Sequence, residues 1–315
     1  EGSFYLFLFK ILDRMMNSSK KSFSIRDLEN LSGIKAHTIR IWEKRYNLLS
    51  PERTETNIRT YSLESLQKLL NITLLYNSGY KISKISKIKE EDIPLLVNEI
   101  IAKNSEKHHA INAFKLAMVN FDTHQFYNTY NSLVADRSFK ELVNEVFIPL
   151  MTELGMLWQS KTISPAHEHF ISSLIKQKIY IQTEKYQKLP PTKEAPVYVL
   201  YLPEGEVHEI GLLFLNYELV SRGHKTIFLG QSNSIHSLKE LLNYYDNLNF
   251  VSYFTISPGP DELDRYFEAF SNELRGKNSK LMILGYQTQK LQSKPNFDFV
   301  EIFESIPHFT AQLPN

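Results

Sequence analysis

A first short string could hold a ligand through a histidine and a carboxylate. Glu206, His208 and Gly211 form a Glu-x-His-x-x-Gly array that directly follows a β-branched and aromatic run, Val197–Leu202. A histidine at the carboxyl end of a strand lies where open α/β folds bind their ligands. Glu206 can accept a hydrogen bond from one ring nitrogen, which fixes the tautomer and raises the basicity of the other nitrogen. Gly211 lets the backbone approach a bulky ligand closely.

A second string places Trp158 ten residues before the pair Glu168 and His169. Each candidate also has an ordinary interpretation: a core tryptophan, an exposed polar pair, and a solvated loop histidine in the case of His208. A conventional metal site is poorly supported, because His208 has no second and third ligand at metal spacing. One axial imidazole is enough, however, where a macrocycle supplies the other ligands of the metal.

Composition narrows the class of protein. The chain has 315 residues, 36 Lys and Arg against 35 Asp and Glu, and no Cys. The length allows two or three domains. The absence of Cys excludes a disulfide framework, a Cys-ligated zinc or iron–sulfur site and a thiol nucleophile. The apolar run at residues 4–9 is too short to span a bilayer and lacks signal-peptide features, so we expect a cytoplasmic protein without membrane segments.

Residues 1–21 lack the regular pattern of the sequence that follows them, and we expect them to form an N-terminal extension. Met15 and Met16 precede a polar stretch, and regular patterning begins only at Phe23. We therefore expect the natural start at one of these methionines, with residues 1–14 upstream of it and residues 1–21 forming an N-terminal extension.

Charge and glycine content divide the remainder. Residues 1–90 carry 16 basic and 9 acidic side chains, a net of +7, whereas the other 225 residues carry 20 and 26, a net of −6. This asymmetry favours a nucleic-acid-binding head. Residues 22–90 show short helical patterns, residues 91–188 have helical spacing with a single Gly, Gly155, and residues 189–196 are a linker by composition.

Strand and helix patterns alternate in residues 197–315. Further apolar runs at Thr226–Leu229, Phe250–Ile256 and Leu281–Leu284 alternate with helical patterns at Glu209–Arg222, Ser237–Asp246 and Pro260–Leu274. This alternation predicts a parallel sheet covered by helices on both faces.

The head has the pattern of a winged helix-turn-helix. Ser24 can cap a first helix that ends before Gly33, and a second helix runs from Lys35 or Ala36 with Ile34, Ile41 and Trp42 facing the core. The side chains that we expect to contact DNA are Lys35, His37, Thr38, Arg40, Lys44 and Arg45 from the second helix, and Arg53, Arg59 and Tyr61 from the wing.

The strings Ile34–Tyr46 and Leu48–Ser62 resemble the MerR family of transcriptional regulators. Together with the array at Glu206–Gly211, "IFLGQSNS" at residues 227–234 and the Trp158 string, residues 22–290 resemble the CarH/LitR class of MerR-type, adenosylcobalamin-dependent photoreceptor repressors. The resemblance implies an α+β multidomain fold: a MerR-type winged head at 22–90, a four-helix bundle at 91–188, the linker, and a flavodoxin-like cobalamin-binding domain at 197–315.

The resemblance also implies residue roles. His208 would be the lower axial cobalt ligand with Glu206 as its partner. Trp158 would pack over the adenosyl group, Glu168 would bond its ribose, and His169 would take the upper cobalt position after photolysis. The further implied cofactor contacts are Val207, Gly211, Thr255, Gly285 and Tyr286.

Two departures from the family pattern lie near the cofactor tail. Tyr286 replaces the second Gly of a Gly-Gly element, and Tyr253-Phe254-Thr255 aligns with an element that usually reads Ser-x-Leu, Val or Thr.

The implied function is a light-dependent repressor with no enzymatic activity. In the dark it would assemble as a tetramer on double-stranded operator DNA, and in light it would separate into monomers or dimers. One alternative is a MerR-family regulator whose sensor is independent of cobalamin. A less favoured alternative is a corrinoid-carrying methyltransferase module, since Trp158 and His169 would crowd the face where a substrate enters.

Overall fold

The computed structural model describes residues 22–93, 95–97, 107–159, 162–274, 279–290 and 297–313. The chain divides into two units, Glu1–Leu174 and Ile175–Asn315. The predicted extension at residues 1–21 lies outside the described residues, so the prediction that residues 1–14 precede a natural start stays a prediction. The predicted domain limits at 90 and 188 also stay predictions. The boundary between the two units coincides with neither limit and lies within a long helix, between Leu174 and Ile175.

Two helices come first among the described residues of the first unit. Helix α1 (Ile25–Ser32) begins with a capping box, in which the Ser24 hydroxyl accepts from the Asp27 N–H at 3.2 Å and the Asp27 carboxylate accepts from the Ser24 N–H at 2.7 Å. It ends at Gly33 in the left-handed region, with φ of 73°. Helix α2 (Ala36–Tyr46) follows, as the sequence predicts for a helix-turn-helix.

The buried face of α2 differs from the predicted one. Ile39 and Trp42 are buried, whereas Ile41 is 51% exposed, so the prediction that Ile41 faces the core was wrong. Ile39 and Trp42 are three residues apart and share one helix face, which turns Ile41 to the other side. Trp42 packs edge-on against Tyr76, with ring centroids 5.2 Å apart.

The predicted wing is a two-stranded antiparallel ribbon. Strand β1 (Glu52–Arg53) pairs with β2 (Arg59–Thr60), in a register that sets Arg53 opposite Arg59. The chain continues into α3 (Leu63–Asn77), α4 (Ile82–Ile85) and a 3-10 turn.

Helical segments follow, as glycine content and spacing predict. They are α5 (Lys107–Asn120), α6 (Thr123–Asp136), α7 (Phe139–Leu142), which continues through a π-helical turn into α8 (Ile148–Gln159), and α9 (Pro165–Gln187). The ring of Phe114 contacts those of Phe126 and Phe147 in the core of this region. Lys115, a polar residue at an apolar position, is buried and forms an ion pair with Glu153.

A five-stranded parallel sheet organises the second unit. Its strands are β3 (Lys193–Pro203), β4 (His224–Asn233), β5 (Leu248–Tyr253), β6 (Lys280–Leu284) and β7 (Val300–Ile302), in the order β4-β3-β5-β6-β7. The helices that alternate with them are α10 (Ile210–Ser221), α11 (Ile235–Lys239), α12 (Leu263–Leu274) and α13 (Ile306–Ala311). This is the flavodoxin-like strand order, whose topological switch point lies between β3 and β5.

The strand limits depart from the predicted ones for identifiable reasons. Strand β3 begins at Lys193, inside the predicted linker, because the N–H groups of Thr192 and Lys193 donate to the Gly223 carbonyl and Lys193 pairs with His224. Strand β5 stops at Tyr253 rather than Ile256, since the following backbone turns to another partner described below. Strand β7 was not predicted, as its three half-buried residues form no apolar run.

The α+β class with a helix-turn-helix head, helical regions and a flavodoxin-like sheet is thus confirmed. Within the part of the chain that the structure describes, no helix combines the length and apolar character that crossing a membrane requires.

Stability of the second unit should depend on His224. Its ring is 2% exposed, packs edge-on against Tyr198 at 5.2 Å, and has no hydrogen-bond partner for either nitrogen among the described residues. Burial, with lesser effects from Lys193 and Arg222, lowers the pKa of His224 to about 4. As pH falls from 6.5 towards 4, the unfolded chain therefore binds a proton before the folded chain does, which destabilises the fold.

We expect the free energy of unfolding to fall by about 2–3 kcal/mol between pH 7.5 and 4.5 through this residue. His224→Leu should flatten that part of the pH profile, measured by thermal unfolding followed by circular dichroism. His236→Leu, at an exposed histidine of the same unit, serves as the control. Equal pH slopes for the wild type and H224L would contradict the assignment.

Candidate cofactor and DNA-binding sites

A buried carboxylate organises the loops at the switch point of the sheet. The side chain of Glu206 is 0% exposed and follows the end of β3. One of its oxygens accepts from the backbone N–H groups of Val207 and His208, both at 2.9 Å. The other oxygen accepts from three successive N–H groups after β5, those of Thr255, Ile256 and Ser257, at 3.0, 2.6 and 3.0 Å. These bonds replace strand pairing and explain why β5 ends early.

The same carboxylate orients the candidate ligand His208. The Glu206 oxygen lies 2.7 Å from His208 Nδ1. Burial acts to raise the pKa of Glu206, but the hydrogen bonds from His208 and from the backbone outweigh it and hold that pKa at about 2. An ionised carboxylate accepts hydrogen bonds only, so Nδ1 carries the proton and the lone pair lies on Nε2. The His208 side chain is 45% exposed, which fits a metal-binding imidazole with a carboxylate partner.

Gln287 holds the other side of the loop after β5. Its side-chain amide donates to the carbonyls of Thr255 and Ile256, at 3.0 and 3.1 Å. Gln287 was not predicted from the sequence, because an amide two residues beyond a glycine has no distinguishing pattern.

Exposed apolar side chains follow three of the strands at this end of the sheet. Val207, Ile256 and Tyr286, after β3, β5 and β6, are 56%, 51% and 54% exposed. Apolar surface beside a single oriented imidazole is what a large planar macrocycle with its own metal would contact. No group of three or more metal-ligating side chains occurs among the described residues. The donor set fits a metal that arrives with its other ligands.

Gly211 and Gly285, the glycines predicted to contact a cofactor, instead lie against other parts of the protein. A Cβ on Gly211, in the first turn of α10, would lie 2.8 Å from ring atoms of Tyr253, so this ring lies directly against the glycine. Gly285 has φ of 112°, and the backbone of Phe254 fills the space where its side chain would be. The space beside Gly211 is therefore occupied by a phenol ring.

The remaining predicted cofactor residues belong to the first unit. Trp158, near the end of α8, is 43% exposed. Glu168 and His169 lie in the first turns of α9, and His169 Nδ1 is 2.7 Å from the Glu168 carboxylate. The His169 side chain is 75% exposed and that of Glu168 is 25% exposed, so both are accessible to a ligand.

Thr162, between these residues in sequence, contacts the helix-turn-helix. Its side chain is fully buried, and its hydroxyl donates to Asp27 at 3.3 Å and accepts from Asn30 at 3.4 Å. Asp27 is the N3 residue of the capping box of α1, so the segment between Trp158 and Glu168 is bonded to the first turn of this helix. Nothing in the sequence pattern pointed to Thr162.

Most predicted DNA contacts are accessible in the head. The side chains at the surface are those of Lys35, His37, Arg40, Lys44, Arg45 and Arg53, while Thr38 and Arg59 are half-buried. One of these cations, the Lys35 ammonium, forms an ion pair with Glu29, with 3.0 Å between Nζ and Oε1.

Tyr61 is the exception among the predicted DNA contacts. It is 1% exposed and its hydroxyl donates to Glu43, so the prediction that it reaches a phosphate is corrected to a core role. Burial, followed by the bond to Glu43, raises the pKa of Tyr61 above its usual range. Glu43 also lies 3.4 Å from Arg59 Nε and thereby orients the wing arginine.

Arg59→Ala should weaken binding to duplex DNA and reduce the slope of log affinity against log salt by about one, as loss of one phosphate contact requires. Fluorescence anisotropy with a labelled duplex at several salt concentrations measures both quantities. Arg265→Ala, at an exposed arginine outside the head, is the matched control. An unchanged salt slope in R59A would argue against the contact.

Comparisons with known proteins match two regions. The family model "MerR HTH family regulatory protein" matches residues 23–92, and the "B12 binding domain" model matches residues 110–182. The HTH-type transcriptional repressor CarH of Myxococcus xanthus is 24% identical over 219 residues, which cover 68% of this chain and 72% of CarH. The HTH-type transcriptional repressor CarA of the same organism is 25% identical over 217 residues, 68% of this chain and 70% of CarA.

Solved structures of corrinoid proteins are also similar to this chain. The monomethylamine corrinoid protein of Methanosarcina barkeri has 12% identity and a TM-score of 0.48, over 69% of this chain and 94% of that one. A cobalamin-binding protein from Desulfitobacterium hafniense DCB-2 has 14% identity and a TM-score of 0.30, over 77% of this chain and 95% of that one.

Proposed function

Since the chain is a transcriptional regulator with a MerR helix-turn-helix domain and a B12-binding domain, similar to CarH and CarA, we propose that it is a light-dependent repressor that binds adenosylcobalamin. The observation that carries the proposal is the pair Glu206 and His208. A buried, ionised carboxylate fixes an accessible imidazole at the switch point, in a chain whose head presents cations to DNA.

In this proposal His208 would hold the cobalt of the cofactor through Nε2, and Glu206 would keep the imidazole ring in the required orientation and tautomer. The exposed side chains of Val207, Ile256 and Tyr286 would contact the macrocycle. When bound, adenosylcobalamin supplies a cobalt–carbon bond that light breaks. Trp158 would pack on the adenosyl group, Glu168 would accept a hydrogen bond from its ribose, and His169 would hold the metal in the illuminated protein.

In this proposal the change in DNA binding follows from the difference between the dark and the illuminated form of the protein. A ligand shifts an equilibrium only by its differential affinity for the states, and loss of the adenosyl group removes the contacts of Trp158 and Glu168. We propose a tetramer on operator DNA in the dark and monomers or dimers in light. Several heads on one assembly bind DNA far more tightly than one head, so dissociation would release the operator.

The test is a visible absorbance spectrum. The full chain is incubated with adenosylcobalamin in the dark, free cofactor is removed, and spectra are taken before and after green light. We expect retained colour that converts on illumination. A colourless protein would refute the proposal.

His169→Ala should leave the dark spectrum and dark DNA binding unchanged, since His169 is placed at the metal only after illumination. The lit spectrum should differ from that of the wild type, because a weaker ligand replaces an imidazole. His167→Ala is the control, because His167 is a histidine two residues earlier in the same helix. Its ring stacks on that of Phe121, with ring centroids 4.7 Å apart, so its loss should affect packing rather than the lit spectrum. A wild-type lit spectrum in H169A would remove the residue from the site.

The ring of Tyr253 favours a second candidate, a MerR-type regulator whose sensor is independent of cobalamin, because the ring fills space beside Gly211. Unaltered absorbance after incubation with cobalamin, alongside intact DNA binding, would support it. We propose no catalytic activity; transfer of the methyl group of methylcob(III)alamin to a thiolate, which yields a thioether and cob(I)alamin, would contradict that.

A further inference from the structure

The close contact between Tyr253 and Gly211 lies beside the candidate ligand. Gly211 is three residues after His208, in the first turn of α10, and Tyr253 is the last residue of β5. A Cβ on Gly211 would lie 2.8 Å from three ring atoms of Tyr253, so the phenol ring lies across the glycine. The sheet order places β5 next to β3, which leads to His208, so this ring lies at the switch point itself.

The contact between Tyr253 and Gly211 affects where the nucleotide of cobalamin can be accommodated. Cobalamin carries a nucleotide on its lower face, the face that His208 approaches in the proposed function. If His208 binds the metal from below, the nucleotide base is displaced, and it needs a slot in the protein on the side of His208. A side-chain-free position next to His208 offers such a slot, and Gly211 is that position.

The structure narrows the set of residues that could obstruct the nucleotide of the cofactor. Gly285, at the same edge of the sheet, is backed by the Phe254 backbone, so no slot lies there. The side chain of Tyr286, the residue that replaces a glycine in the family pattern, is 54% exposed rather than packed against one of these glycines. A Cβ on Gly205 would lie 3.6 Å from the hydroxyl oxygen of Ser257, which is ordinary van der Waals contact. The residue that obstructs a tail is therefore Tyr253 rather than Tyr286.

We propose that Tyr253 is a specificity-determining residue that closes the slot beside Gly211 and makes the chain discriminate between corrinoids by their lower nucleotide. Corrinoids without the nucleotide bind to the structure as it stands, whereas cobalamin binds only after the phenol ring swings away from Gly211. The inference rests on the proposed function, because it requires that His208 binds a corrinoid.

The experiment compares two corrinoids that differ in the tail, cobinamide, which has no nucleotide, and cobalamin, both as their cyano forms in the dark. Absorbance titrations of the full chain give the two affinities and their ratio. We expect Tyr253→Ala to shift the ratio towards cobalamin by about tenfold or more, since removing the ring opens the slot. Tyr253→Phe keeps the ring and should keep the wild-type ratio.

Further variants separate specificity from folding. Tyr253→Leu retains apolar packing with a smaller side chain and should shift the ratio in the same direction if Y253A does not fold. Tyr244→Ala, at a 76% exposed tyrosine of the same unit, is the matched control. A ratio that stays unchanged in every folded Tyr253 variant, while both corrinoids bind, overturns the inference alone. Failure of both corrinoids to bind the wild type and the variants overturns the proposed function, and this inference with it.

Discussion

His208→Ala should lower the affinity for adenosylcobalamin by about 100-fold or more and should abolish the dark assembly. The imidazole is the proposed protein ligand to the metal, and Glu206 holds it in place at 2.7 Å. Without it, the remaining contacts are with exposed apolar side chains such as Val207 and Ile256, which give little directional binding. Absorbance titration in the dark measures the affinity, and light scattering after gel filtration measures the assembly.

His236→Ala is the matched control for this variant, because His236 is an exposed histidine in the same unit. Circular dichroism should show the same helix and strand content in both variants. A dark tetramer with wild-type colour in H208A would remove His208 from the metal and with it the proposed role of Glu206.

Glu206→Gln should have the largest effect on stability. A folded-state pKa of about 2, against 4.5 for an unperturbed glutamate, corresponds to about 3 kcal/mol of stability at neutral pH. This contribution is present above pH 4.5 and is lost as pH falls towards 2, so the variant and the wild type should converge in acid. The glutamine amide would also present a donor to a ring of N–H groups that all need an acceptor.

Urea unfolding of E206Q and the wild type at several pH values between 7 and 3 tests this expectation. Glu204→Gln, two residues earlier at an exposed position, is the matched control. E206Q should additionally weaken the binding of cobalamin by about 10- to 100-fold, as loss of a carboxylate partner does for metal-bound histidines. A stability difference that is constant across this pH range would contradict the charge-based explanation.

The sequence predicted those parts of the fold that depend on local pattern. Ser24 and Gly33 define the ends of α1 by capping chemistry, and apolar runs separated by helical spacing predict a parallel sheet. The Glu-x-His-x-x-Gly spacing likewise predicts the pair Glu206 and His208, because two residues of separation after a strand bring a carboxylate within reach of the ring.

Features that depend on long-range contacts were not predictable in the same way. The burial of Tyr61 follows from its bond to Glu43, eighteen residues earlier, and Gln287 reaches a loop more than thirty residues away. The end of β5 at Tyr253 depends on Glu206, some fifty residues before it. In each case the deciding partner is distant in sequence, so local propensity contains no information about it.

The bond between Thr162 and Asp27 bears on how such a regulator could be rebuilt. Helix α1 and the segment after α8 share buried polar contacts within one unit, so the head is not an interchangeable reader attached by a tether. A chimera that fuses a foreign head to this chain would leave a fully buried threonine hydroxyl without its carboxylate, at a cost of about 1–3 kcal/mol. Successful grafts should therefore carry an acceptor at the position of Asp27, or replace Thr162 by valine.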